Sequence, residues 1–158
     1  MREYVVTCCS TADMSRTFME TNEVPFAMFH YQLDGKEYAD DLYSSISPEV
    51  FYKMIGDGAQ PVTSQVNAEA YCALFEPVLK SGKDVLHLTL SSGISGSINS
   101  ANVAKTQMEE KYPDRRVMVV DSLAASSGYG MLVEQTLENQ RAGMSLEENA
   151  AWIAAHRN

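Results

Sequence analysis

Apolar residues occur in short runs that alternate with amphipathic stretches along the chain. The runs at 4–8 and 85–90 end in polar residues, and short apolar runs bounded in this way are typical of buried strands. Residues 85–90 are apolar on nearly every position, which predicts a central strand of a parallel sheet. Residues 117–120 predict a third central strand. Helices are predicted for the stretches between the strands: 15–22, 48–56, the residues after 65, the residues after 97, 127–140 and 146–156.

Local signals give the ends of several helices. Ser10 or Thr11 is expected to cap the first helix, with Asp13 at the positive end of its dipole. Ser47 and Pro48 predict the start of the second helix. Pro77 lies inside the third helical stretch, where proline removes a hydrogen bond, so a kink or an early break is expected near Glu76.

The run from Pro25 to Leu33 is followed by Asp34-Gly35 and then by Lys36-Glu37-Tyr38, which predicts a hairpin with a two-residue turn. Elsewhere strands and helices alternate, and this order favours right-handed β-α-β connections. The expected fold is α/β, with a parallel β-sheet core flanked by helices and a small hairpin.

Composition adds limits to this interpretation. The chain has 158 residues, 45% of them hydrophobic, which suits one domain with a single core. Its net charge of −9 gives no basic field for a nucleic-acid backbone. Cys8, Cys9 and Cys72 do not form a disulfide framework, and we expect a cytoplasmic protein with Cys8 and Cys9 buried. No segment has the length of a secretory signal or of a membrane span.

Polar clusters follow each predicted parallel strand, where ligands collect in open sheets. They are Ser10-Thr11, the serine loop (residues 91–97, Ser-Ser-Gly-Ile-Ser-Gly-Ser) and Asp121-Ser122. Thr63-Ser64 adds a fourth cluster before a helix. Hydroxyls and free amides at helix starts can hold one anionic group, and glycines let a ligand approach the backbone.

Sequence motifs distinguish three kinds of site that the serine loop could form. It lacks the lysine of a P-loop, which excludes a nucleotide triphosphatase of that type. A serine hydrolase using Ser95, Asp121 and His156 is an alternative, although Ser97 replaces the last glycine of the nucleophile elbow. A binder of another small anion, such as phosphate, also remains open. We predict no metal site and no cofactor, and we interpret His30 and His87 as core histidines.

The ordered motifs resemble those of the DegV family, whose bacterial members bind long-chain fatty acids. The resemblance covers nearly the whole chain. It rests on Ser10-Thr11-Ala12-Asp13, Asp34-Gly35 with Tyr38, Phe51-Tyr52, Thr63-Ser64-Gln65, the serine loop with Ser100-Ala101, and Asp121-Ser122 before Ser127-Gly128-Tyr129-Gly130.

The resemblance implies that Thr63 and Ser95 hold the fatty-acid carboxylate and that the acyl chain lies in an apolar tunnel. It implies a carrier that presents the fatty acid to a separate fatty acid kinase and has no catalytic residues. We expect support from the loops that carry Ser10, Thr11, Ser64, Ser92, Gly93, Gly96 and Asp121. Candidates for the tunnel lining are Phe26, Met28, Phe29, Ile94, Ile98 and Met131.

The resemblance also implies two lobes, with residues 1–158 as the N-terminal one. We therefore expect a truncated chain without the C-terminal lobe, which exposes part of the tunnel wall and self-associates. Cys9 stands where the family usually has an aspartate. This difference is expected to remove a carboxylate from the rim of the site.

Overall fold

A computed structural model describes residues 2–157. Its strands are β1 (Tyr4–Cys9), β2 (Phe26–Ala27), β3 (His30–Leu33), β4 (Lys36–Ala39), β5 (Val62–Ser64), β6 (Asp84–Thr89) and β7 (Val117–Asp121). Its α-helices are α1 (Arg16–Thr21), α2 (Pro48–Gly56), α3 (Ala68–Lys80), α4 (Ser97–Lys111), α5 (Ser126–Arg141) and α6 (Leu146–His156), and Ser10–Ala12 form a short 3₁₀ helix. The described residues include no helix that is long and apolar enough to cross a membrane.

Four parallel strands form the main sheet, in the order β2-β1-β6-β7. Every residue of β6 is buried, because α3 and α6 both pack on it. Helices α3 and α4 pack together, as do α5 and α6, and each pair covers one face of the sheet. The predicted α/β fold with a parallel sheet between helices is confirmed.

Strand β7 lies at an edge of this sheet in the described part of the chain, so the prediction of a third central strand is wrong. Its apolar sequence has a different cause. Helices α4 and α6 both contact β7, and an edge strand covered on both faces needs apolar residues on both.

The predicted hairpin is present as β3 and β4, which pair antiparallel from His30–Ala39 to Leu33–Lys36. Asp34 and Gly35 both have positive φ values, 50° and 77°, as a type I′ turn requires. The apolar run before the turn is divided, since Phe26–Ala27 pair with β1 instead. Strand β5, which the sequence did not predict, completes a second, three-stranded sheet by pairing with β3.

The expected cap of α1 and the expected early break of α3 are wrong. Ser15, not Ser10 or Thr11, caps α1 by accepting a hydrogen bond from Phe18 N at 3.1 Å. Helix α3 continues through Pro77 to Lys80. Val78 and Leu79, which follow the proline, are buried in the core, and this burial offsets the loss of one backbone hydrogen bond.

Candidate functional site

Three loops meet at the carboxyl edge of the main sheet because β1, β6 and β7 run parallel. They are the 3₁₀ helix after β1, the serine loop after β6 and the turn at 121–125 after β7. The serine loop and this turn are in direct contact, since Ser91 N donates to Ala124 O at 3.1 Å and Ser92 N donates to Asp121 Oδ1 at 3.1 Å. The predicted clustering of polar loops at one edge is therefore present.

The serine loop is held by hydrogen bonds of its own. Ser91 Oγ accepts from Gly93 N at 3.2 Å, and Ser95 Oγ accepts from Ser97 N at 3.2 Å. Ser95 is only 9% exposed. Within residues 2–157 no acceptor lies against the Ser95 O–H, which leaves it able to donate. The loop therefore presents one oriented hydroxyl at the start of α4.

The N-cap residue of α4 is Gly96, which has no side chain to cap the helix. Two amides of the first turn already have partners, since Ser97 N donates to Ser95 Oγ and Asn99 N donates to the carbonyl of Gly96 at 3.0 Å. The start of the helix still carries the positive end of the helix dipole, and together with the Ser95 hydroxyl it suits an anionic group.

Thr63 and Ser64 lie in β5 and not at a helix start, because Asn67 caps α3. Thr63 pairs with Tyr31 across the small sheet and is exposed. Ser64 Oγ donates to the carbonyl of His30 at 3.4 Å. Both residues precede α3, as predicted, but they lie in a strand that the sequence did not predict, because three residues are too few to show a strand period.

Gln65 brings the end of β5 next to the serine loop. A Cβ atom added at Gly96 would lie 3.1 Å from Gln65 Oε1, so the amide group of Gln65 lies beside Gly96. No hydrogen bond joins Thr63 and Ser95 within the described residues. The structure thus brings the two motifs side by side, and the joint role of Thr63 and Ser95 stays a prediction.

A pocket of about 300 Å³ lies between the 3₁₀ helix, the small sheet and α2. Thr11 and Thr63 line it, whereas Ser95 is outside the lining. The rest of its wall is aromatic, aliphatic and acidic: Asp13, Phe29, His30, Tyr31, Ala39, Asp40, Asp41, Tyr43, Ile46, Phe51, Tyr52 and Pro61. Phe51 packs edge-on against both Tyr31 and Tyr52.

Only Phe29 of the six tunnel candidates lines this pocket. Phe26 packs against the main core, and Ile98 is half-buried on α4. The other three, Met28, Ile94 and Met131, have exposed side chains. The sequence missed Tyr31, Tyr43 and Tyr52, although the Phe51-Tyr52 pair was among the motifs that carried the family resemblance.

Three carboxyl groups, those of Asp13, Asp40 and Asp41, line the pocket. Burial raises the pKa of Asp40, with Asp13 adding to the effect and a hydrogen bond from Ser10 opposing it. Burial also acts to raise the pKa of Asp41, but hydrogen bonds from Ser45 and Ser44 outweigh it and lower the pKa. A ligand carboxylate would be repelled from the acidic wall, so the pocket suits the apolar part of a ligand.

Ser10, Gly93 and Asp121 have structural contacts that explain their place in the motifs. Ser10 Oγ accepts from Phe29 N at 3.1 Å and so ties the 3₁₀ helix to the chain before β3. Gly93 N closes the turn on Ser91 Oγ. Asp121 Oδ1 accepts from the amides of Ser92 and Leu123.

Cys9 is fully buried below the loops, so its expected position at the rim of the site is wrong. Its Sγ lies 3.4 Å from Tyr71 Oη and its amide donates to Tyr129 Oη at 2.9 Å. Burial raises the pKa of its thiol, although hydrogen bonds from both tyrosines oppose the rise. Cys8 is also buried, as predicted, and both thiols are neutral.

His87 is fully buried and its Nδ1 lies 2.9 Å from Thr7 Oγ1. It is a core histidine, as predicted. His30 differs, because it is half-buried and lines the pocket. The alternation along β3 turns its side chain away from the main core.

The three residues of the alternative hydrolase do not form a triad in the described structure. His156 Nδ1 donates to the carbonyl of Trp152 at 2.8 Å, and its ring stacks on the Trp152 ring. The carboxylate of Asp121 accepts from two backbone amides. Within residues 2–157 Ser95 makes no hydrogen bond to Asp121 or His156, whereas nucleophilic catalysis requires a general base within hydrogen-bond reach of the serine.

Comparison with known proteins also points to the DegV family, over nearly the whole chain. The model of the family described as "Uncharacterised protein, DegV family" matches residues 5–158. A DegV domain-containing protein of Clostridium perfringens is 32% identical over 158 residues, which are 100% of this chain and 54% of that protein. The chain thus spans about half the length of the curated relatives it matches.

Solved structures show the same fold. A fatty-acid-binding DegV family protein of Thermus thermophilus is 30% identical with a TM-score of 0.87, over 99% of this chain and 54% of that one. A stearic acid-binding protein of Eubacterium ventriosum is 28% identical with a TM-score of 0.86, over 96% of this chain and 52% of that one. The fold, the motifs at its carboxyl edge and the match over nearly every residue show that the chain belongs to the DegV family.

Proposed function

We propose that this chain is the N-terminal, head-group-binding lobe of a long-chain fatty-acid carrier. The observation that carries the proposal is the serine loop, where the buried Ser95 hydroxyl lies at the start of α4 with its O–H able to donate. The relatives from Thermus thermophilus and Eubacterium ventriosum, described as binding a fatty acid and stearic acid, support it.

The head group lies between Ser95 and Thr63. The Gln65 side chain, which follows β5, lies beside Gly96, so the strand with Thr63 and the loop with Ser95 are neighbours. A carboxylate needs only a few directed donors, and helix-start amides can supply the remainder. No charged side chain is required.

The acyl chain supplies most of the affinity. Each buried methylene contributes about 0.8 kcal/mol, so a chain of about sixteen carbons gains on the order of 10 kcal/mol. In this lobe the aromatic pocket around Tyr31 and Phe51 receives part of the chain. A second lobe completes the tunnel, and a separate fatty acid kinase phosphorylates the exposed carboxylate.

Lipid extracted from the purified protein tests the proposal directly. Mass spectrometry is expected to detect long-chain fatty acids. Finding no acyl chain, together with no binding of added palmitate, would contradict fatty-acid binding. A rise in melting temperature with phosphate but not with palmitate would indicate a binder of small anions instead.

Substitution of both hydroxyls tests the head-group assignment. Thr63→Val with Ser95→Ala removes two hydrogen bonds to a charged group, each contributing on the order of 1.5–3 kcal/mol. We expect palmitate affinity to fall about 100-fold, as measured by displacement of a fluorescent fatty acid. Thr17→Val with Ser127→Ala changes two exposed hydroxyls outside the site and should leave affinity unchanged. Equal affinities in the two double variants would rule out these roles for Thr63 and Ser95.

A further inference from the structure

Asp121 connects the serine loop to the turn after β7. One carboxylate oxygen, Oδ1, accepts from Ser92 N at 3.1 Å and from Leu123 N at 3.0 Å. Leu123 has a positive φ of 50°, a conformation that is costly for a leucine and that surrounding contacts must hold. The carboxylate therefore fixes two loops at once, one of which carries Ser95.

Arg157 approaches the same residue from the end of α6. Its Nη1 donates to the carbonyl oxygen of Asp121 at 2.9 Å, and the side chain is half-buried. Burial acts to raise the pKa of Asp121, but the hydrogen bonds from Ser92 and Leu123 and the positive charge of Arg157 outweigh it, so the pKa is lowered. Asp121 is an anion beside a loop that, under the proposed function, also receives an anion.

We propose that Asp121 and Arg157 are positioning residues that together fix the serine loop in its binding conformation and keep the head-group site free of net negative charge. Asp121 fixes the positions of the two loops by accepting hydrogen bonds from the amides of Ser92 and Leu123. Arg157 supplies the compensating charge, since a carboxylate ligand next to an uncompensated aspartate would be repelled. The inference rests on the proposed function for the charge effect, whereas the effect on loop geometry is independent of any ligand.

Amide hydrogen exchange of the ligand-free protein tests the geometric part. Asp121→Ala removes the acceptor of Ser92 N, and we expect exchange at Ser92 to become at least about tenfold faster, the factor that corresponds to losing one charge-assisted hydrogen bond. Asp121→Asn keeps an oxygen at this place and should preserve most of the protection. Glu134→Gln, an exposed charge change on α5, is the control. An unchanged exchange rate at Ser92 in Asp121→Ala would show that Asp121 does not fix the conformation of the serine loop.

Palmitate binding tests the charge part. Arg157→Gln should weaken palmitate binding about tenfold at low salt, with a smaller effect at high salt because repulsion is screened. Adding Asp121→Asn to Arg157→Gln should restore much of the affinity, since the uncompensated charge is gone. A purely structural role of Arg157 predicts no recovery of affinity in the double variant and no salt dependence.

These outcomes separate the two proposals. Absence of palmitate binding by the wild-type protein counts against the proposed function. In that case the exchange rate of the Ser92 amide still shows whether Asp121 fixes the conformation of the serine loop. Wild-type binding with unchanged affinity in Arg157→Gln overturns the charge role of Arg157 and leaves fatty-acid binding in place.

Discussion

His87 shows how burial determines the protonation state of a residue below the site. Its ring lies among Thr7, Cys9, Tyr71 and Phe75, with edge-on contacts to both aromatic rings. Burial lowers its pKa to about 3, so the ring is neutral near pH 7. A neutral cluster of a histidine, a thiol and tyrosines supports the loops above it without adding charge to the site.

The buried His87 predicts a pH dependence of stability. Its pKa is lower in the folded state than the ordinary value of 6.5, so the unfolded state binds more protons as the pH falls below 6.5. Stability should therefore decrease between pH 6 and pH 5, by about 1.2 kcal/mol from this residue. Urea unfolding at both values measures it.

Matched variants isolate the contribution of His87. His87→Gln should remove this part of the slope even though it lowers stability at all pH values. His156→Gln, at an exposed histidine, should keep the wild-type slope. Identical slopes in the wild type and in His87→Gln would show that His87 does not carry the effect.

At the scale of elements, amphipathic period and capping residues predicted most of the helices correctly. Ser145 forms a capping box with Glu148 at the start of α6, and Ser47 with Pro48 begins α2. Gly143 has a φ of 91° after α5, between the predicted helices 127–140 and 146–156. These signals act within a few residues, so they can be read without the fold.

In helix α3 the rule that proline ends a helix failed, because the helix continues past Pro77. This position gives a prediction about stability. Pro77 is exposed, so its ring contributes little packing while it removes one helical hydrogen bond. Pro77→Ala should stabilise the protein by about 2 kcal/mol, the cost of an interior proline of about 3 kcal/mol less the entropy that proline removes from the unfolded chain. A rise in melting temperature of about 5 °C is expected for a chain of this size.

Pro113 provides the control, because it is exposed and lies outside α4 and β7. Pro113→Ala restores no helical hydrogen bond and should lower stability by less than about 1 kcal/mol. Thermal unfolding followed by circular dichroism compares the two variants. A lower melting temperature in Pro77→Ala would mean that Pro77 is required for the packing of α3.

At the scale of the whole molecule, the small sheet and α2 leave an apolar surface exposed. Tyr43, Tyr52 and Val62 are each more than half exposed, at 62%, 67% and 65%. Tyr43 and Tyr52 also line the pocket. Relatives are about twice as long as this chain, and we propose that their additional lobe covers this surface.

An uncovered apolar surface predicts self-association of this chain. Sedimentation velocity should show a dimer or larger species whose fraction rises with protein concentration. Tyr52→Lys with Val62→Lys should shift the distribution towards monomer, since each adds a charge to the surface. Val103→Lys, at a half-exposed valine on α4 outside the pocket, should not. A wild-type protein that stays monomeric at all concentrations would contradict the prediction.

The sequence by itself determined the α/β class, the main helices, the strands β1, β6 and β7, the hairpin turn and the three polar loops at one sheet edge. These follow from local period and turn chemistry, and from the rule that parallel strands end on the same side. The tertiary structure decided the rest. Strand pairing joined β2 to β1 and β5 to β3, which are far apart in sequence. This pairing formed the aromatic pocket, and five of the six residues predicted to line the tunnel lie outside its wall. It also gave the serine loop its neighbours, with Gln65 against Gly96 and Asp121 on Ser92, because contacts between distant residues depend on topology and leave no period in the sequence.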